Sequence, residues 1–175
     1  MDGLKQEIAE ERIHQFVRSL EALILPETGK TKKQFAHRCQ LFAKASALTK
    51  QILEEAFDMR SEAEHLNDWE NSLQSYPPTE RENIAFQRTR QMERLACVAF
   101  SRILDDEDLR NHFKNESTLD DFWRKADDAT RKAIWGVQLD LTSIALVKEY
   151  DGQGRARPCP PTPHPRLIQN PHPSI

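Results

Sequence analysis

Residues 35–73 read FAHRCQLFAKASALTKQILEEAFDMRSEAEHLNDWENSL, and the apolar spacing in that stretch decides the fold class. Phe35, Phe42, Thr49, Ala56 and Ala63 recur every seven residues; Ala45, Ile52, Met59, Leu66 and Leu73 form a second row three places later. A seven-residue repeat of this length is a helix signal that strand alternation cannot imitate. Unbroken, the helix would be roughly 58 Å long at 1.5 Å per residue. Leu41 and Leu48 beside one row, and Leu53 beside the other, widen the apolar face beyond the seam of a dimeric coiled coil. The stretch is therefore expected to be the coiled-coil-like central helix of a bundle. Asn67 and Glu70 have the spacing of another cap, which leaves continuity through Asn67 open.

The flanks supply the other helices. Ile13, Phe16, Val17, Leu20, Leu23 and Ile24 form one stripe of a helix over residues 4–25, and Pro26 and Gly29 place a turn at 26–30. Thr31 with Gln34 reads as a capping box that opens the central helix. Pro77 and Pro78 stop it, and Thr79 with Glu82 opens a third helix to about Leu104, with Ala85, Met92, Leu95, Ala96, Ala99 and Ile103 inward. A short helix follows over 106–115. Thr118 with Asp121 then opens a last long one to Tyr150, with Phe122, Ala126, Ala129, Ala133, Val137, Leu141, Ile144 and Ala145 inward and Trp123 and Ile134 beside them. The expected fold is all-α: an antiparallel bundle of four long helices plus one short helix in residues 1–150, then a disordered Pro-rich tail over 151–175. Seven of the ten prolines lie in that tail.

Composition narrows the function. Charged residues are 30% of the chain and the formal net charge is −3. Residues 1–150 carry 22 Lys and Arg against 27 Asp and Glu, and the last 25 carry three Arg against one Asp, so the chain is no globally basic nucleic-acid binder. Cys39, Cys97 and Cys159 have no paired spacing, which argues for a reducing compartment without disulfides. The longest apolar run, Leu95–Phe100, is six residues long, with runs of four at Ala22–Leu25 and Ile144–Val147, and MDGLKQEIAEER has no secretion-signal core. A cytoplasmic protein without a membrane segment is the expectation.

Charge along the central helix is polarised. Lys30, Lys32, Lys33, Arg38, Lys44 and Lys50 fill its first half; Glu54, Glu55, Asp58, Glu62, Glu64, Asp68 and Glu70 fill its second, against Arg60 alone. This order opposes the helix dipole. Arg88, Arg90 and Arg94 of the third helix are expected to face the acidic half. The basic half lacks a comparable partner, with Asp105, Asp106, Glu107 and Asp108 as candidates. Lys32, Lys33, Lys44 and Lys50 are thus candidate binding residues for a phosphate backbone.

The tail offers a second binding motif. Arg155, Pro158 and Pro161 match Arg-x-x-Pro-x-x-Pro, and Arg157 begins an overlapping copy. Prolines preset a polyproline II ridge and the arginine reaches an acidic pocket, the mode by which SH3 domains bind peptides. Leu25 to Gly29 spells a sortase-like signal without the secretion and anchoring segments such substrates carry. Gly29-Lys30-Thr31 ends like a phosphate-binding loop, but Ile24 stands where the earlier glycine belongs. Two Glu-x-x-His pairs, Glu11 with His14 and Glu62 with His65, lie off the apolar rows, so no metal and no cofactor is expected.

Arg60-Ser-Glu-Ala-Glu-His65 has an Arg-x4-His spacing that resembles the active-site motif of HEPN ribonucleases, small helical bundles that dimerise. The resemblance covers six residues and implies Arg60 and His65 as catalytic residues around a scissile phosphate. On one continuous helix the two would point about 140° apart. The leading expectation is a non-catalytic adaptor that engages other proteins through its helical surface and its tail. A nucleic-acid-associated regulator is the first alternative and a HEPN-like ribonuclease the second, and assembly as a homodimer stays open.

Overall fold

The 35–73 stretch does not form one helix: local capping chemistry interrupts it twice. The computed structural model describes residues 2–65 and 67–144, with side chains from residue 11 onward. Among them are seven α-helices: α1 Asp2–Ile24, α2 Thr31–Arg38, α3 Ala47–Glu64, α4 Pro78–Asp105, α5 Glu107–His112, α6 Glu116–Lys125 and α7 Asp128–Trp135. Three 3-10 turns lie at Cys39–Leu41, Trp69–Leu73 and Leu141–Ser143. The described residues hold no strand, only a parallel bridge between Ala43 and Leu139. The all-helical class is as expected; the described residues do not show the bundle of four long helices.

The framework is three helices, α1, α3 and α4, each packed on the other two. Arg18 pairs with Glu64 and Glu21 with Arg60, so α1 and α3 run antiparallel. Val17 and Leu20 of α1, Ile52, Leu53 and Ala56 of α3, and Met92, Leu95 and Ala99 of α4 are buried between them. No described helix is long and apolar enough to cross a membrane.

At the first interruption, α2 tightens into the Cys39–Leu41 turn and Phe42 swings onto Trp135 and Trp123, at ring separations of 4.6 and 6.4 Å. The backbone then pairs with a distant segment: the Lys44 N–H donates to the Leu139 carbonyl at 2.8 Å and the Leu139 N–H to the Phe42 carbonyl at 3.0 Å. Ser46 is extended, and its hydroxyl accepts from the Thr49 N–H at 2.9 Å, which starts α3. A serine that caps a new helix satisfies an orphaned N–H and ends any continuous helix through it. Phe35, Phe42 and Thr49 are buried all the same, whereas Ala45 and Leu48 of the same pattern are exposed.

At the second interruption, α3 ends at Glu64, and Asp68 accepts from the Glu70 N–H at 2.9 Å to open the turn that buries Trp69 and Leu73. The cap falls one residue after the expected Asn67, and Leu66 lies outside the described residues.

The other expectations divide similarly. The turn at 26–30 forms, with Gly29 at φ +80°, but Lys30 sits at the N-cap of α2 without a side-chain bond, and Gln34 instead accepts from the Glu27 N–H at 2.6 Å. Helix α4 matches the expected third helix, opened by Pro78 at its first turn and not by a Thr79–Glu82 box. Helix α5 matches the short one. The expected 118–150 helix is cut into α6 and α7 because Asp127 accepts from the Thr130 N–H at 2.7 Å and restarts the helix. Gly136, at φ +78°, then ends it; a Cβ there would lie 2.8 Å from Arg102 Nη2. Ala129, Ala133 and Val137, expected inward, are exposed, and Trp135 is buried in their place. Residues 145–150, the tail 151–175 and hence the boundary between them lie outside the described residues.

Replacing Ser46 with Ala removes a cap that divides the chain, and should cost about 1 kcal/mol, within a usual range of roughly 0.5–2. Thr31→Ala, at the box that does not form, should change stability by less than half as much. Urea denaturation of both variants checks the contrast; equal losses would overturn it.

Candidate functional site

The broken helix folds α2 back onto α3, and this rearranges the predicted charges. Lys32 meets Asp58 at 2.6 Å, Lys50 meets Glu54 at 3.6 Å and Lys30 meets Glu27 at 2.9 Å. Arg38 turns inward to cap α1, its Nη1 donating to the carbonyls of Ile24 at 2.6 Å and Leu25 at 2.7 Å. Of the candidate lysines, only Lys33 and Lys44 form no ion pair within the described residues, and both are exposed. Asp106, proposed from sequence as a partner for this half, caps α5 by accepting from the Leu109 N–H. The sequence could not show that α2 and α3 face each other, because the periodicity treated them as one rod.

Arg88 reaches the acidic half as expected, with Nε 2.7 Å from Glu55 Oε2. Around this pair a polar network closes. Tyr76 Oη donates to Glu55 Oε1 at 3.0 Å, Arg88 Nη2 to Tyr76 Oη at 3.1 Å and Arg88 Nη1 to Gln91 Oε1 at 3.0 Å. Gln91 Nε2 in turn donates to the Leu141 carbonyl at 3.0 Å. Glu55, Arg88 and Gln91 are buried. Arg90, the second arginine expected there, is exposed. Burial, then the hydrogen bond to Glu55, hold the Tyr76 phenol above its ordinary value near 10.

A second cluster surrounds Trp123. Its indole N–H donates to the Leu23 carbonyl at 2.9 Å, and the guanidinium groups of Arg38 and Arg131 lie 5.1 and 5.4 Å from the ring centroid. Arg131 also bonds the Trp123 and Ala126 carbonyls and Asp128, capping α6. Desolvation by burial lowers the Arg38 pKa, with Arg131 and Arg124 adding to the effect. Both arginines stay occupied with carbonyls, so the cluster locks helix ends together.

The third cluster lies open to solvent. A recess of about 550 Å³ runs between the second half of α1, the 26–30 turn and the end of α3. Arg60 is buried in its wall, with Nη2 3.0 Å from Glu21 and Nη1 2.9 Å from Glu64, and its guanidinium lies 5.5 Å from the Phe57 ring centroid. Arg18 lies across the same two carboxylates at 3.5 Å from each. His65 lines the recess too, so the structure brings the Arg-x4-His pair to one cavity, with Arg60 buried and His65 exposed. In this recess the predicted site residues Arg60 and His65 meet the buried charge of Glu21. Glu21, its essential acid, carried no signal in the sequence because it sits among the polar residues of an amphipathic helix.

Cys39 is fully buried, and burial followed by the nearby Glu21 pushes its thiol well above the ordinary range. A thiol so shielded is no nucleophile. Among the described residues no three His, Cys, Asp or Glu side chains gather as a metal ion requires. Arg155, Arg157, Pro158 and Pro161 lie outside the described residues. Compared with protein-family models, curated proteins and solved structures, the chain matches none.

Two outcomes follow from the Glu55–Arg88 network. Glu55→Ala leaves a buried guanidinium without its counter-charge and should cost roughly 3–5 kcal/mol, whereas Glu55→Met with Arg88→Met should recover most of that loss; a double-mutant cycle measured by denaturation decides. Tyr76 has a raised folded-state pKa, so its contribution is complete below about pH 10 and is lost as pH rises through the folded value. Stability of the wild type should therefore fall more steeply above pH 10 than that of Tyr76→Phe.

Proposed function

We propose that this protein is a non-catalytic interaction module that engages other proteins through its helical domain and its Pro-rich tail. The observation that carries the reading is Val137, a large apolar side chain 83% exposed on a backbone that is pinned on every side. Arg102 donates to the Val137 carbonyl at 3.2 Å, Gln138 Nε2 to the Gln40 carbonyl at 2.6 Å, and Leu139 bridges to the 42–44 segment. A side chain presented from a rigid backbone loses little entropy on binding. Leu104, 63% exposed, and Leu48, 49% exposed, add apolar surface that folding leaves uncovered. In sequence, Arg155, Pro158 and Pro161, with Arg157 opening an overlapping copy, match the Arg-x-x-Pro-x-x-Pro pattern that SH3-like domains accept.

The nucleic-acid alternative draws support from Lys33 and Lys44, which form no ion pair within the described residues, while the charge of Lys44 also acts on Asp140. Lys32 and Lys50 weaken it, since each already holds a carboxylate. Two unspent lysines neutralise too few phosphates for tight binding. The ribonuclease alternative requires Arg60 to contact a phosphate, and it would first have to release Glu21 and Glu64.

Val137→Asp should leave the melting temperature nearly unchanged and release the protein from its native complexes, read by size-exclusion chromatography of extracts from cells that express it. Migration of wild type and variant alike as the free chain would overturn the reading. In parallel, titration with a generic duplex at two salt concentrations should show no salt-sensitive binding; a steep salt dependence would transfer the case to the nucleic-acid alternative.

A further inference from the structure

We infer that the recess between α1, the 26–30 turn and α3 accepts a neutral peptide unit from a partner protein, with an adjoining apolar side chain. The inference rests on the interaction reading above and names one site for it. Glu21 and Arg60 are 6% and 7% exposed, and each keeps one polar atom without a hydrogen-bond partner: the acceptor Oε1 of Glu21 and the donor Nε of Arg60. Buried groups left in that state are costly; both atoms are sealed from solvent, on two residues that line the recess. What satisfies them together must offer one donor and one acceptor.

Charge selects among the ligands that could do so. Arg18 and Arg60 balance Glu21 and Glu64 within the recess, so an added ammonium or carboxylate would leave a net charge beside a buried pair. A peptide group has the donor and the acceptor without the charge. Phe57, Pro26 and Ala22 give the recess an apolar wall for the side chain beside it. Arg18 is the part that yields on entry: its side chain is 54% exposed and its two contacts are 3.5 Å long, against 3.0 and 2.9 Å for those of Arg60. In the proposal, Arg18 swings into solvent and gives up its contacts with Glu21 and Glu64, while Arg60 stays fixed between the same two acids.

Three small probes test this on the full isotope-labelled chain by NMR: N-acetyl-leucinamide, which is neutral, leucinamide, which carries an ammonium, and N-acetyl-leucine, which carries a carboxylate. The neutral probe should shift the Arg60 Nε–H resonance and the backbone amides of Gly29 and Ser61 saturably at millimolar concentration, the range suited to so small a ligand. Both charged probes should bind several-fold more weakly. Arg18→Ala leaves the recess with a net negative charge, and preference should move to leucinamide. Ala22→Phe, at an exposed wall position, should abolish the shifts without changing the melting temperature. No saturable shift with the neutral probe, an equal response to all three, or undiminished binding by Ala22→Phe would overturn the inference. Native complexes that persist while the neutral probe fails overturn the recess and leave the interaction reading standing. Absent complexes overturn the interaction reading and, with it, the partner.

Discussion

The guanidinium of Arg88 is the point on which the described structure depends. Its three nitrogens bond Glu55 of α3, Tyr76 of the turn before α4 and Gln91 one turn further along α4. Gln91 passes the connection to the Leu141 carbonyl. Four separate pieces of chain are thereby tied to one buried charge. Such a network favours one arrangement over its neighbours, since any register that separates Arg88 from Glu55 strands a charge in the interior. Apolar packing of α1, α3 and α4 supplies the bulk of the stabilisation, but packing alone tolerates sliding that this network does not.

The same logic explains how the short helices are held. After Gly136 the chain runs past the 38–46 interruption, and Gln138, the Ala43–Leu139 bridge and buried Leu141 fix it there. The interruption supplies backbone N–H and C=O groups that a continuous helix would have consumed internally, and the 137–141 segment satisfies them. Each break thus completes the other. Trp123 meets Phe42 edge-on and Trp135 meets it at a tilt, so the break gives Phe42 two aromatic neighbours.

Function follows from how charge is distributed after folding. Most of the cations that look available along the chain are consumed inside it: Arg38 and Arg131 on carbonyls, Arg88 and Arg60 on buried acids, Lys32 and Lys50 on surface ones. Among the described residues, apolar surface at Val137 and Leu104 stays exposed, Lys33 and Lys44 form no ion pair, and in the recess Glu21 and Arg60 each keep an unfilled hydrogen-bonding atom. The apolar surface carries the interaction reading proposed above, and the recess is the site inferred for it.

The all-helical class, the stripe of α1, the turn at 26–30, the whole of α4 and the short α5 were legible in residue order, because helical periodicity and proline or glycine punctuation act over a few residues. The pairing of Arg88 with the acidic stretch was legible too, through charge alone. The continuity of 35–73 and 118–150 was not. Ser46 and Asp127 have the side chains of caps, yet in an apolar repeat they also pass as polar positions on a helix; at the first break, bonds from 40–44 to residues about a hundred positions away join the local cap in holding it. Phe42 gains two tryptophans and Ala43 a bridge by leaving the helix. The recess belongs to tertiary structure entirely: Glu21 and Arg60 are 39 residues apart, and their burial against each other exists only once α1 and α3 lie antiparallel.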